Sequence, residues 1–239
     1  GGAHQSTITA SIGVELPGLV LAEPAYAGAL DWLLCDGLAR IGDADAPAES
    51  LYLRLTTRPI EQAPFEAARD RLGTEELRRQ VLAGAYVLVP APPRTRVDGP
   101  LVRLVASGAV LPEVIAAQAE LSREGVRAEV LDVTSLTRLY RGWRASLRAG
   151  VRGALVPARS HVDTLLSGEV ARAPIVTVHD AASHAMAWLG SVTGAPVVPL
   201  GVDAFGQSGR IEDLYAAFEL STGHVVTAAL AALSRGTDG

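Results

Sequence analysis

The 239-residue sequence contains no lysine and no asparagine, so all 21 side chains of the lysine and arginine class are arginine. A Schiff-base lysine and the lysine of a phosphate-binding P-loop are therefore excluded from this chain. Its single cysteine, Cys35, excludes an internal disulfide framework and a cysteine-based zinc site, and indicates a reducing compartment. We expect Cys35 to be a small buried apolar side chain on a helix.

Positive charge and long apolar runs are also scarce. The formal net charge is −5, which argues against a nucleic-acid partner. No uninterrupted apolar run approaches the roughly 18–20 residues that cross a bilayer, so no membrane partner is expected. The first nine residues lack the basic and apolar order of a signal peptide. With 49% hydrophobic residues, the sequence predicts a packed soluble protein of the cytoplasm.

The first third of the chain alternates between strand and helix patterns. Residues 18–22 and 51–55 read as strands, and Glu23-Pro24 opens a helix between them that runs to about Arg40. Residues 64–81 are helical in pattern, and 82–89 resemble a further strand of this unit. Two or three parallel strands with so few helices leave a sheet face uncovered. We therefore expect another chain, or another part of the same chain, to complete this sheet.

A second unit follows a cluster of proline, glycine and charged residues at 90–100. Strands are predicted at 101–106, 126–133, 152–157 and 174–178, and helices at 111–124, 181–190, 211–219 and 225–234. This alternation predicts a doubly wound α/β domain.

Few residues suggest chemistry by their position alone. Arg58 follows the carboxyl end of a predicted strand, where open α/β sheets bind their ligands. Asp180, Ser183 and His184 have the composition of a hydrolase triad, but the sequence has no G-x-S-x-G motif. Ser107-Gly108 is interpreted as a tight turn between a strand and a helix.

Several short segments match one enzyme family in order and spacing. Gly2-Ala3-His4-Gln5 resembles the transketolase element that brings a histidine to thiamine diphosphate. The remaining segments resemble the homodimeric type of pyruvate dehydrogenase E1 component, and they are Pro24-Ala25-Tyr26-Ala27, Leu55-Thr56-Thr57, Val133-Thr134-Ser135-Leu136-Thr137, Gly201 to Ser208 and Phe218-Glu219-Leu220.

The resemblance covers the C-terminal third of such a thiamine-diphosphate-dependent enzyme. It implies an α/β fold in which residues 1–80 are the rear half of a pyrimidine-binding parallel-sheet domain. Residues 81–100 would be a connector, and residues 101–239 a transketolase-type C-terminal α/β domain. The segments at 133–137 and 201–208 would then serve packing and subunit contacts.

The same resemblance implies the site residues. His4 would be the catalytic and cofactor-binding histidine, transferring a proton to the substrate oxygen, and Arg58 would bind a substrate carboxylate or phosphate. The complete enzyme would use thiamine diphosphate and Mg²⁺. This chain has neither the family's Gly-Asp-Gly motif nor its downstream asparagine, so it should supply no metal ligand and be inactive alone.

Three functions stay open at this point. The first is the C-terminal part of a pyruvate or other 2-oxo acid dehydrogenase E1 component, which passes an acyl unit to a lipoyl-bearing acyltransferase. The second is ketol transfer by a split or truncated transketolase. The third is a non-catalytic dimerisation module. The resemblance implies a homodimer and a missing N-terminal cofactor-binding half, in the same chain or in a separate subunit.

Overall fold

The computed structural model describes residues 6–47, 49–153, 156 and 158–236. The strands are β1 (Leu19–Ala22), β2 (Ser50–Leu53), β3 (Ala85–Val89), β4 (Leu101–Ala106), β5 (Arg127–Val133), β6 (Ile175–Val178) and β7 (Val197–Leu200). The helices are α1 (Thr9–Glu15), α2 (Ala27–Gly42), α3 (Ala63–Leu72), α4 (Thr74–Ala83), α5 (Leu111–Arg123), α6 (Leu136–Val151), α7 (His161–Leu166), α8 (Gly190–Thr193), α9 (Ile211–Ala217) and α10 (Thr222–Gly236). Two 3₁₀ segments, Gly108–Val110 and Ser183–Leu189, complete the elements.

The first sheet consists of β1 and β2, which pair in parallel with Leu19 opposite Ser50. The predicted strand–helix–strand unit is confirmed, but its helix begins at Ala27 and not at Glu23-Pro24. Tyr26 keeps an extended backbone, and the side-chain oxygen of Gln62 accepts a hydrogen bond from the N–H of Ala27 at 2.9 Å. That bond satisfies one of the free N–H groups with which a helix starts.

The second sheet has the strand order β3-β5-β4-β6-β7, and only β3 is antiparallel to its neighbour. The strand predicted at 82–89 therefore forms, but as the edge of this sheet and not as part of the first unit. It lies within the predicted connector, 81–100. The domain boundary itself stays a prediction.

The core covers both faces of the second sheet, as a doubly wound fold requires. On one face α5 and α10 contribute, among others, Val114 and Ala229. On the other face α6, α7 and the second 3₁₀ segment contribute Leu139, Val162 and Met186. The predicted α/β fold with a mainly parallel sheet is confirmed.

Three predicted elements differ in detail. The helical region 64–81 is two helices, because Gly73 between them adopts a φ of +82°. The strand predicted at 152–157 is absent at its described residues, since α6 continues to Val151 and a turn follows. The helix predicted at 181–190 is a 3₁₀ segment followed by the short α8.

The C-terminal segment Ile211–Arg235 is long and apolar enough to span a bilayer by length and composition. The segment is divided, however, because Glu219 adopts a φ of +59° between α9 and α10. The apolar face of α10, including Val225 and Ala232, lies in the core of the second sheet. One apolar face of this segment is therefore used for packing within the chain.

Side chains of the segment 134–137 form hydrogen bonds to the backbone of β1 and so join it to the second sheet. The hydroxyl of Ser135 donates to the carbonyl of Leu21 at 2.7 Å, and the hydroxyl oxygen of Thr137 accepts from the N–H of Leu21 at 3.1 Å. Both hydroxyls are completely buried. The packing role expected for residues 133–137 is confirmed, and the subunit contact stays a prediction.

Two further bonds close the same edge of β1. The N–H of Glu23 donates to the carbonyl of Thr134 at 2.8 Å, and the Arg141 guanidinium donates to the carbonyl of Leu19 at 2.9 Å. The carbonyls of Leu19 and Leu21 and the N–H groups of Leu21 and Glu23 are thus satisfied by the second unit.

Candidate functional site

The carboxyl ends of the two sheets meet, and charged residues follow the strands at that meeting point. Glu23 comes directly after β1, Arg54 directly after β2, and His179 and Asp180 directly after β6. Ligands of open α/β sheets bind at this end of the strands. We call these four residues the interdomain cluster.

Arg54 is the centre of the interdomain cluster. Its Nη1 donates to Glu23 Oε1 and, at 2.6 Å, to Asp180 Oδ1, while Nη2 donates to the carbonyl of Asp180 at 3.2 Å. Burial alone would lower the pKa of Arg54, but the attraction of Glu23 and Asp180 outweighs it and raises the pKa. Arg54 is therefore a permanent cation that joins both sheets.

Glu23 lies at the carboxyl ends of β4 and β6, where the strand order of the second sheet reverses: β5 follows on one side of β4 and β6 on the other. Its Oε2 accepts from Nε2 of the buried His179 at 2.8 Å. Because an ionised carboxylate only accepts, Nε2 carries the hydrogen. Gly108, with a φ of +70°, leaves room for this carboxylate, and a Cβ at that position would collide with it. The position where such folds bind ligands is thus filled by a side chain of the first unit.

The ligand atoms of Glu23, His179 and Asp180 lie within 4.8 Å of one another, a spacing that could hold a metal ion. The guanidinium of Arg54 bonds to both carboxylates of this set. It already supplies the positive charge that a bound cation would bring, so we assign no metal here.

A buried carboxyl lies next to the interdomain cluster. Asp132 on β5 is completely buried, and its oxygens form no regular hydrogen bond with any described residue. Burial raises the pKa of Asp132 to about 7, and the charge of Glu23 adds to the rise, while the nearby Tyr86 hydroxyl opposes it. Burial also raises the pKa of Tyr86 well above its usual value.

A cavity of about 420 Å³ opens beside the interdomain cluster, a volume that suits a small molecule. Arg54 and Asp180 form its charged wall, and Tyr215 and Phe218 form part of an apolar wall. Its other lining residues are Ser6, Thr7, Thr9, Tyr52, Val202, Gly206, Gln207, Leu214 and Leu220.

The two predicted site residues have different outcomes. His4 lies outside the described residues. Arg58 is half-buried, and its guanidinium donates to the carbonyl of Ala109 and to Glu113 Oε1, both at 3.2 Å. The guanidinium also lies 5.5 Å from the ring centre of Tyr215. Arg58 therefore bridges the two units, and its substrate-binding role stays a prediction.

Other sequence candidates are placed apart from one another or otherwise engaged. The hydroxyl of Ser183 donates to Asp203 at 2.7 Å, Asp180 binds Arg54, and His184 is exposed. They form no triad. The prediction that Cys35 is buried is wrong, because α2 presents this thiol to solvent.

Sequence reasoning missed Glu23 and Arg54. Both directly follow a strand, which is the rule that singled out Arg58. Their contacts with the second sheet could not be read from spacing, since Arg54 and Asp180 are 126 positions apart and Glu23 and His179 are 156 apart.

Comparison with known proteins decides the family. The family described as the transketolase-like TK C-terminal domain matches residues 84–221, more than half of the chain. The chain belongs to this family. In this transketolase-like chain the family match begins at Gly84, just before β3, which agrees with the placement of β3 in the second sheet.

The relatives of this transketolase-like chain are enzymes of greater length. It is 29% identical over 228 residues to the pyruvate dehydrogenase E1 component of Mycolicibacterium smegmatis, covering 92% of this chain and 22% of the relative. It is 27% identical over 205 residues to a transketolase of Cupriavidus necator, covering 83% of this chain and 25% of the relative. A 6-deoxy-6-sulfo-D-fructose transketolase subunit of Clostridium sp. is 28% identical over 231 residues. That alignment covers 96% of this chain and 59% of the subunit. The chain spans about a quarter of the first two relatives.

Solved structures agree in fold. A split-gene transketolase, described as an inactive β4 tetramer, superposes with a TM-score of 0.66 at 18% identity, covering 98% of this chain and 64% of that chain. A transketolase variant from Pichia stipitis superposes with a TM-score of 0.68 at 16% identity, covering 98% and 28%.

The family is thiamine-diphosphate-dependent, but the interdomain cluster does not fit this cofactor. Glu23 and Asp180 present two carboxylates to the single guanidinium of Arg54. A diphosphate placed there would meet uncompensated negative charge.

Proposed function

We propose that this chain is the C-terminal part of a 2-oxo acid dehydrogenase E1-like enzyme. The complete enzyme would decarboxylate pyruvate or a related 2-oxo acid in the cytoplasm and pass the acyl unit to a lipoyl-bearing acyltransferase. The observation that carries the proposal is the alignment with two pyruvate dehydrogenase E1 components, each over 92% of this chain. The E1-like segments at 133–137 and 201–208 support it.

The structure suggests what this part contributes. The interdomain cluster and the segment 134–137 join the first sheet to the second. His4 precedes α1 by five positions, and α1 contacts both β1 and α6. We propose that this support positions His4, which holds or moves a proton at the substrate oxygen. Thiamine diphosphate and Mg²⁺ would be bound by the missing N-terminal half, so this chain alone would be inactive.

Arg58 is proposed to bind the substrate carboxylate. Its guanidinium has five donors, and two of them are used by Ala109 and Glu113. About a quarter of the side chain is exposed, which leaves room for a further acceptor. Replacement by alanine should raise KM for the 2-oxo acid by at least about tenfold with little change in kcat. A fall in kcat and melting temperature with unchanged KM would show that Arg58 has a structural role between the two units and does not bind substrate.

The test of the function uses the complete enzyme with thiamine diphosphate and Mg²⁺. We expect pyruvate-dependent reduction of an artificial electron acceptor and no turnover of ketose phosphates. His4→Ala should lower kcat by about 100-fold or more. His184→Ala, at an exposed histidine, is the matched control and should leave kcat unchanged. Unchanged turnover in both variants would favour a non-catalytic dimerisation module.

A split transketolase is the second candidate. The lengths of two relatives favour it, since the chain spans 59% of a transketolase subunit and 64% of a split-gene transketolase chain, but only about a quarter of the single-chain enzymes. Turnover of ketose phosphates without pyruvate decarboxylation would establish this alternative. In either case we propose a homodimeric complete enzyme, which sedimentation of that enzyme would test.

A further inference from the structure

The cavity of about 420 Å³ beside the interdomain cluster is built by both units. Tyr52 of β2 lines it from the first unit, and Val202 after β7 lines it from the second. Two backbone hydrogen bonds hold this lining in place. The N–H of Ala182 donates to the carbonyl of Thr7 at 2.9 Å, and the N–H of Val202 donates to the carbonyl of Ala181 at 2.8 Å. The cavity is therefore a preformed part of the fold, as ligand sites usually are.

The charge balance at the wall of this cavity is negative. The guanidinium of Arg54 bonds to two carboxylates, those of Glu23 and Asp180. One positive charge is thus matched by two negative charges. The guanidinium of Arg58, which also lies near the cavity, pairs with Glu113 at 3.2 Å and adds no net charge. A surplus carboxylate beside a half-enclosed apolar space attracts a cation.

Asp180 brings this negative charge to the cavity. Its Oδ1 accepts from Arg54 at 2.6 Å, and no described residue donates a hydrogen bond to its Oδ2. About a quarter of the side chain is exposed. The charge also acts on a ring of the opposite wall. Burial raises the pKa of Tyr215 to about 12, and the charge of Asp180 adds to the rise, while Arg58 opposes it.

Aromatic side chains are concentrated at the same cavity. Tyr52, Tyr215 and Phe218 line it, in a chain with only 5% aromatic residues. Because the faces of aromatic rings attract cations, rings together with a carboxylate are typical surroundings of a bound organic ammonium group. Leu214 and Leu220 add apolar surface for the rest of such a molecule.

We propose that this cavity binds an organic cation that carries a primary ammonium group on an apolar body. The ammonium group donates to Oδ2 of Asp180 and lies near the rings of Tyr52 and Phe218, and the apolar body packs against Leu214. A carboxylate or phosphate ligand is disfavoured, because it would meet the charge of Asp180 at close range. The site is separate from the reaction proposed above, since neither His4 nor Arg58 belongs to it.

The test compares three probes with similar rings in the complete enzyme at pH 8, where a primary ammonium group is charged and an ordinary imidazole is neutral. In titrations followed by ligand-observed NMR, 2-phenylethylamine should bind at least about tenfold more tightly than the neutral 2-phenylethanol, and phenylacetate should bind most weakly. No binding of the amine, equal affinity for amine and alcohol, or tighter binding of phenylacetate would overturn the proposal.

Matched variants locate the bound cation. Asp180→Asn keeps the size of the side chain and should remove the preference for the amine over the alcohol, because the surplus negative charge is gone. Asp213→Asn, at an exposed position of α9 outside the cavity lining, is the control and should keep the preference of the parent. A preference that persists in Asp180→Asn would place the cation elsewhere and overturn the proposal.

A second variant decides the case in which Asp180→Asn loosens the contact between the units and binds neither probe. Tyr52 is 44% exposed, so Tyr52→Leu removes an aromatic ring without opening the core. This variant should weaken binding of the amine by about threefold or more, and binding of the alcohol by less. Unchanged affinity for the amine in Tyr52→Leu would contradict the proposed site.

Discussion

Glu23 and His179 are 156 positions apart in the chain, yet Oε2 of the first accepts a hydrogen bond from Nε2 of the second at 2.8 Å. Each side chain is less than a tenth exposed. The bond joins the carboxyl ends of two separate sheets and explains why a charged residue lies in a crevice between apolar strands.

Replacing Glu23 should destabilise the chain. Glu23→Ala leaves His179 without its acceptor and Arg54 with one carboxylate fewer, and should cost about 2–4 kcal/mol of unfolding free energy. Urea denaturation followed by circular dichroism measures this. Glu124→Ala, at an exposed glutamate, is the control and should stay within about 0.5 kcal/mol of the parent. Equal effects in both variants would contradict the buried role of Glu23.

Glycine at position 108 is predicted to be required for two reasons. Its φ is +70°, and a Cβ there would collide with the carboxylate of Glu23. Gly125 is the matched control, because its φ is +80° but nothing lies within 4 Å of the added Cβ. Gly125→Ala should cost about 1 kcal/mol from backbone strain, and Gly108→Ala at least about 2 kcal/mol. Equal losses in denaturant melts would show that Glu23 does not occupy the crevice.

Asp132 should make stability depend on pH. Its pKa is about 7 in the folded chain, above the ordinary carboxyl value of 3.8. Below the ordinary value both states are protonated. As pH rises to about 7, the unfolded chain loses this proton first, so the folded state loses stability.

Between pH 5 and pH 8 the Asp132 contribution should fall by about 2–3 kcal/mol. Asp132→Asn, which cannot ionise, should remove that fall and be more stable than the parent at pH 8. Urea melts of both proteins at the two pH values provide the measurement. The same pH dependence in parent and variant would assign it to other groups.

The Cys35 thiol should react in the native chain. It is exposed on α2, and its Sγ donates a weak hydrogen bond to Asp31 Oδ1 at 3.9 Å. An aromatic disulfide reagent should label one thiol per chain without denaturant, at a rate within about tenfold of the unfolded chain. If labelling requires urea, the thiol is buried in the native chain, as the sequence analysis predicted.

Much of the fold follows from local pattern. The helices α5 and α10 were readable because apolar residues recur at helical spacing, and β1 and β2 because short apolar runs end at turn residues. The partner of β3 was not readable. Its antiparallel pairing with β5 places Ala85 opposite Val133, and that register depends on contacts 48 positions apart.

The site was less accessible to sequence reasoning than the fold. Asp132 lies in an apolar strand, where a carboxylate is easily read as an outward-facing residue. Its burial depends on both units, because Tyr26 of the first unit and Tyr86 on β3 of the second sheet both lie close to it. Glu23 and Arg54 each look like ordinary surface charges until the second sheet brings His179 next to Glu23 and Asp180 next to Arg54.

The hydroxyls of Ser135 and Thr137 bear on how enzymes of this kind can be recombined. They hold the backbone of β1 itself, so the two units are joined by hydrogen bonds from side chain to main chain and not only by apolar packing. A chimera joined at the proline-rich stretch 90–100 would pair one parent's β1 with another parent's hydroxyls. Exchange between relatives should therefore succeed only when β1, β2 and the residues up to Arg54 are inherited together with the C-terminal sheet.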